Sequence, residues 1–298
     1  MPLVLFGGTV TTLRAGMAES GWINPDGYFL WAYPIDKRFG SIGVFVEHHH
    51  RELGSLVGLL AIAAAIAAWR KESRPLARRL PAIALLAVCF QGLLGGLRVL
   101  ENSPNLAFIH GALAQGVFAL LAATALYLSP RWRSVQPSMC KTAGAMQRTT
   151  GIAVALVFIQ VTIGAWFRHS GLEGALALHI LLALGVFGAI VAIGKQMSAA
   201  QSEGADSGSD RSLLLGVKRR LHLLVGVQIA LGALATFYIY EVSGGTQGAV
   251  SMGEAVFATA HVAVGALLMA QTVAAAMWSR RLVFAENSTA TIAAQAAQ

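Results

Sequence analysis

The chain has 298 residues, of which 56% are hydrophobic and 12% charged, and its apolar residues gather in runs of about 20, the length a helix needs to cross ~30 Å of hydrocarbon. Continuous runs such as Leu53–Trp69 do not alternate, which excludes a closed β-barrel, and no polar stretch is long enough for a sizeable soluble domain. The formal charge of +8 would suit an acidic partner, but 16 of the 22 basic residues fall in alternate loops, so the charge marks membrane topology and no nucleic-acid partner is expected.

Apolar runs bounded by charges, Pro or Gly predict spans at 2–16, 47–69, 81–99, 105–128, 150–168, 174–194, 215–240 and 255–278. The first is short for a crossing, so several of its residues are expected to be missing, and no cleavable signal peptide is expected. Residues 17–46 form a long outer loop whose Trp22, Tyr28, Phe29, Trp31 and Tyr33 suit a cover lying in the membrane interface. The basic loops 70–80, 129–149 and 195–220, with Arg280 and Arg281, belong to the cytoplasm, and eight crossings put both termini there. The Ser-, Gly- and Asp-rich stretch 199–212 reads as a flexible linker and the tail after Phe284 as disordered. Cys89, in an apolar run, and Cys140, in a polar loop, do not form a disulfide or metal motif.

A repeat runs through the odd spans. Val88, Gln91 and Gly95 on the third recur at the same spacing as Val157, Gln160 and Gly164 on the fifth and Val225, Gln228 and Gly232 on the seventh. A small residue four positions from a polar one shares its helix face, permitting close helix approach and interhelical hydrogen bonds. The even spans each carry a histidine near their start: His50, His110, His179 and His261. The fold expected is therefore all-α and polytopic, eight transmembrane helices in two four-helix bundles that are parallel repeats about an axis along the membrane normal. Residues 1–128 would be the first half, 129–149 a cytoplasmic linker, 150–281 the second half and 282–298 a tail.

The even spans enter from one face, so at ~1.5 Å per residue the four imidazoles lie roughly 5–9 Å below one boundary. Paired within each half, His50 with His110 and His179 with His261, they can supply two axial ligands to a haem in each bundle, as in b-type electron carriers. Gly54, Gly111, Gly185 and Gly265 lower the helix surface for a flat macrocycle. Any one of these histidines taken alone reads better as a helix–helix hydrogen-bond partner; four at one depth in a twofold pattern reverse that. His222 lies at the opposite end; His169, at the outer end of the fifth span, is placed either against a haem edge or, as the favoured reading, in solvated loop; and His48 and His49 face away from His50 without a fourth ligand for copper.

Glu47 stands three residues before His50 and four before Arg51 on one helical face. It is either a group that exchanges a proton beside the first haem position or half of an ion pair closing the outer end of the span. The second half has Ala175 and Leu176 at the comparable place, so chemistry is expected in the first half and electron storage in the second. Arg14, Arg98 and Arg168 lie near outer helix ends, against the charge trend. Like Arg51 they are candidate haem contacts, as partners of propionates; simple anchoring by snorkelling is the other reading.

Over nearly its whole length the chain resembles the haem A synthase family. Glu47-His-His-His50-Arg51-Glu-Leu-Gly54 is similar to the family's Glu-x-x-His-Arg signature, Gln91-Gly-Leu-Leu-Gly-Gly follows on the third span, and His110, His179 and His261 fall where the remaining haem-ligand histidines are expected. The resemblance implies that His179 and His261 hold haem b, while His50 and His110 receive haem O, whose C8 methyl is oxidised to the formyl group of haem A for cytochrome oxidase. Glu47 would be the essential acidic residue. Implied partners are the lipid bilayer, haem O synthase, oxidase assembly factors and a second copy in a homo-oligomer; the implied location is the inner (plasma) membrane. Many relatives carry a cysteine pair in the first outer loop, whereas Met17–Val46 has none, which sets the chain apart from any mechanism using that disulfide. A bis-histidine cytochrome relaying electrons from quinol and a non-enzymatic haem carrier also fit four histidines. The one-sided Glu47 favours the enzyme, since a symmetric relay has no use for it.

Overall fold

The computed structural model describes residues 1–203 and 212–284. Its helices are α1 (Pro2–Thr12), α2 (Ile35–Arg38), α3 (Ile42–Lys71), α4 (Pro75–Leu100), α5 (Pro104–Leu128), α6 (Pro130–Ser134), α7 (Ala143–Ser170), α8 (Glu173–Ser202), α9 (Ser212–Phe237) and α10 (Met252–Leu282). Two-residue strands β1 (Ser138–Met139) and β2 (Val283–Phe284) pair in parallel. The helix boundaries have local causes. Pro75, Pro104 and Pro130 stand at first helical positions, where a missing N–H breaks no bond, and the hydroxyls of Ser41, Ser103, Ser129 and Ser251 accept from backbone N–H groups in the first turns of α3, α5, α6 and α10. Gly171 ends α7 with φ 68°, the left-handed conformation glycine takes without strain.

Seven helices, α3, α4, α5, α7, α8, α9 with its π-turn to Val242, and α10, are 25–31 residues long and apolar enough to cross a membrane. The chain is thus a polytopic all-α membrane protein. Its first predicted crossing falls short: α1 has 11 residues and ends at Thr12, about 16 Å of helix, half the hydrocarbon thickness. Seven helices of membrane length, rather than eight, are therefore found among the described residues. Leu59, Leu86, Leu181 and Leu184 are 59–70% exposed along them, which lipid solvates as readily as a core would.

Helices α7, α8, α9 and α10 form a closed ring, each packed on the next and α10 on α7; α1, α3, α4 and α5 follow one another likewise, and α10 packs on both α1 and α5. Helix α10 is the shared wall, with 44% of its apolar stretch buried against 11–28% in the other six. Fully buried Met146, Ile190, Ile193, Met197, Leu214, Leu221 and Leu282 fill the end where α7 and α9 begin and α8 and α10 finish. The opposite end, where the four histidines lie, has only two small apolar clusters, Val10 with Ala15 and Val46, and Phe167 with Ala175 and Ile239. The stretch 129–149, expected as a plain linker, holds α6 and β1, the latter tied to the end of α10 through β2. Most of the expected linker 199–212, and the tail after Phe284, lie outside the described residues, α8 itself running to Ser202.

Candidate functional site

The ring centres of His50 on α3 and His110 on α5 stand 6.4 Å apart with planes at 89°; those of His179 on α8 and His261 on α10 stand 6.1 Å apart at 69°. All four imidazoles rest on a glycine of an earlier apolar helix. A methyl built on Gly7 of α1 would lie 2.8 Å from Cε1 of His50; on Gly95 of α4, 3.1 Å from that of His110; on Gly164 of α7, 2.8 Å from that of His179; on Gly232 of α9, 2.9 Å from that of His261. Four residues before three of these glycines, a carbonyl accepts from the ring Nδ1: Leu3 O at 3.3 Å for His50, Gln160 O at 3.0 Å for His179 and Gln228 O at 3.1 Å for His261. For His110 the corresponding Gln91 carbonyl lies outside good bonding geometry. A carbonyl only accepts, so three rings carry their proton on Nδ1 and keep a lone pair on Nε2, the tautomer a metal ligand needs.

The repeat glutamines support the same layer. Gln91 and Gln160 donate to the backbone carbonyls of His110 and His179, at 3.2 and 2.8 Å. Gln228 instead donates to Nε2 of His261 at 3.2 Å and must turn to its sisters' arrangement before that ring can ligate. The side-chain oxygens of all three are buried without a partner. An iron between two imidazoles sets their ring centres about 6 Å apart, two metal–nitrogen bonds of about 2 Å plus a ring radius on each side. Both pairs match, so the residues present fit an axially ligated macrocycle at each. No cluster of three or more His, Cys, Asp or Glu side chains is placed to hold a bare ion among the described residues, His48 and His49 included.

Glu47 is 1% exposed and its bonds are all made. Oε1 accepts from Arg51 Nη2 at 2.9 Å, and Oε2 accepts from the backbone N–H of Ala18 at 2.7 Å and of Glu19 at 3.0 Å. The carboxylate that stands a turn from His50 therefore also fastens the first loop onto α3. Arg51 donates to the carbonyls of Glu19, Gly21 and Trp22, Glu19 Oε1 meets His48 Nδ1 at 2.8 Å with both side chains fully buried, and Arg38 pairs with Glu52 at 2.9 Å. The Trp22 indole lies so closely on Gly96 of α4 that any side chain there would overlap it. On its other face the loop exposes Ile23, Phe29, Trp31, Ile35 and Phe39. Sequence reasoning misses Glu19, His48, Glu52 and Arg38 because the partners lie up to 32 residues apart in an irregular loop; only the i,i+4 spacing of His48 and Glu52 carries a signal.

Burial pushes the Glu19 carboxyl up to about 7, against the pull of Arg51 and with the repulsion of Glu47, Asp26 and Glu52. A carboxyl raised on docking favours the docked loop fully below the ordinary 4.5, and that contribution is lost as the pH climbs to about 7. A spin label at the exposed position of Phe29 should gain mobility between about pH 5 and about pH 8, and Glu19→Gln should flatten the response. A wild-type lineshape constant across that window would remove Glu19 from control of the loop.

The three outer arginines differ in use. Arg14 donates to Thr246 O at 2.6 Å and Gly248 O at 3.0 Å, and Arg168 reaches Glu254 Oε1 at 3.2 Å and Thr12 O at 3.1 Å, so both tie α1 to the second ring. Arg98, laid on the backbone of Gly16, has no hydrogen bond or ion pair among the described residues and lies within electrostatic reach of Glu47, His50, His110 and His169. Glu254 is a third buried acid beside Glu19 and Glu47, 1% exposed, and spacing does not reveal it because it precedes its histidine by seven residues rather than three. His169 is no solvated loop residue. It sits in the last turn of α7, half-buried, its Nε2 3.7 Å from where a methyl on Gly111 of α5 would stand. His222 is at the far end, resting on Gly194 with Nδ1 on Lys218 O at 2.8 Å, and Cys89 and Cys140 are free.

The family model COX15-CtaA, cytochrome oxidase assembly protein, matches residues 33–172, which run from the end of the first loop through α3, α4, α5 and α7 and include Glu47, His50, Arg51, Arg98, His110 and Arg168. Over that stretch, a little under half of the chain, the match agrees with the resemblance read from the residues. His179 and His261 lie beyond the match. No curated protein and no solved structure matches the chain.

Proposed function

We propose that this chain, whose residues 33–172 carry the haem A synthase family, oxidises the C8 methyl of haem O to the formyl group of haem A. The observation that supports this best is two like-built histidine pairs with a buried carboxylate a turn from a ligand in only one of them. The histidine-on-glycine contact recurs in the order α1–α3, α4–α5, α7–α8 and α9–α10, which favours two equivalent four-helix halves with α1 in the place of α7 and all eight helices in the membrane. By the charge of the loops, the histidine layer faces outward and both termini inward, in the plasma membrane.

In this reading His50 and His110 grip the substrate's iron and so fix the position of its methyl against α3. His179 and His261 hold haem b, which when bound supplies a centre that accepts the electrons. Glu47, on the His50 face of α3, is placed to take a proton as the methyl is oxidised, a four-electron change overall in which dioxygen or water supplies the formyl oxygen, and Arg51 holds its carboxyl in place. Arg98, whose side chain alone of the three outer arginines has no hydrogen-bond or ion-pair partner among the described residues, is left for a propionate. The docked loop, with Trp22 seated on Gly96, covers this end of the first four helices.

The test is to express the full chain with a haem O source and to extract and separate the haems. Formylated product is expected. Its absence, with both pairs loaded, would leave the relay or the carrier.

A further inference from the structure

Arg98 and His169 come from opposite halves of the chain and meet beside the first histidine pair. Arg98 extends from the last turn of α4 onto the backbone of Gly16, so close that a side chain at 16 would collide with the guanidinium. His169 leans from the last turn of α7 onto Gly111, the residue after His110. The fields of both reach His110, and that of Arg98 also reaches His50 and His169. The local charge is unbalanced: Glu47 is committed to Arg51 and two loop amides, Glu254 to Arg168, and neither the Arg98 nor the His169 side chain has a hydrogen-bond partner among the described residues. A half-buried guanidinium with no acceptor on the protein is free to take one from a bound molecule, and the group that matches its geometry is a carboxylate, which meets it as a fork.

We propose that Arg98 and His169 form one carboxylate seat for the macrocycle held by His50 and His110, so that the substrate site is completed by a residue of the other half. The proposal rests on the reading that this pair holds a haem. Arg98 supplies the charge and two parallel donors; the His169 ring, whose Nε2 lies against Gly111 of α5, supplies a third donor and fixes which edge of the macrocycle faces the junction between the halves. Both act as binding and positioning residues.

The experiment uses the full chain carrying His179→Ala, so that bis-imidazole absorption reports only His50 and His110, titrated with iron protoporphyrin IX and, separately, with its dimethyl ester. The diacid should bind at least tenfold more tightly than the ester, the worth of charge-assisted hydrogen bonds. Arg98→Gln and His169→Leu should each shrink that ratio while leaving ester affinity unchanged, Arg98→Lys should restore part of it, and the midpoint potential of the bound haem should fall when Arg98 is neutralised. A diacid-to-ester ratio unmoved by either variant would overturn the seat while leaving the haem site standing. A wild-type chain in which neither compound gives bis-imidazole absorption would overturn the haem reading and the seat with it.

Discussion

Glu47→Ala should leave the haem b spectrum of the His179 and His261 pair unchanged while formylated product falls by about a hundredfold or more, the contribution of a positioned acid or base. The change removes two things at once. It deletes the group beside His50, and it strips the acceptor from the N–H groups of Ala18 and Glu19 and from Arg51, leaving buried donors unpaired at roughly 1–3 kcal/mol each. Glu47→Gln separates the two, because an amide oxygen still accepts from the loop amides but cannot take a proton at neutral pH. Loss of product in Glu47→Gln with the loop still docked, read from a spin label at position 29, assigns the effect to proton chemistry. Equal turnover in both variants would take Glu47 out of the mechanism and leave it as a fastening for the loop.

His179→Ala should abolish the bis-imidazole absorption of haem b, and with it product formation, while the helices remain intact, since the side chain is half-buried and packs on Gly164 rather than within the apolar core. Gly164→Ala approaches the same result from the other side. Its methyl would sit 2.8 Å from Cε1 and 3.1 Å from Nδ1 of His179, so the ring must leave the Gln160 carbonyl that orients it, and haem b should bind more weakly without being lost. A full haem b complement in His179→Ala would refute the pairing with His261.

Seven of the eight spans and the histidine layer were legible because lipid imposes length and period: apolar runs of about 20 residues leave little choice of helix, and alternate helices bring His50, His110, His179 and His261 to one end. The glycines of the repeat were legible on α4, α7 and α9, but Gly7 was not, because α1 carries Leu3 where its sisters carry glutamine and only the backbone carbonyl at that place does the same work. The first loop could not be read. Its partners are chosen by a single irregular turn, with Asp26 at φ 50° and its carboxyl held below the usual range chiefly by the Tyr33 hydroxyl, and no period announces that Glu19 will end up against His48. The separate employment of Arg14, Arg98 and Arg168 is likewise a matter of which carbonyl or carboxylate lies opposite, and one-dimensional spacing treats the three alike.

The contact of Thr12 with Thr259, reinforced by Arg14 and Arg168, joins the first helix to the last across 247 residues. At about 5–20 residues per second of synthesis, the ribosome needs roughly 12–50 s to deliver the partner of a segment it finished at the outset. During that interval α1 waits against α3 alone, and the chamber of His50 lacks a wall. The wall that α10 gives this part of the first ring is thus among the last of the described contacts to form.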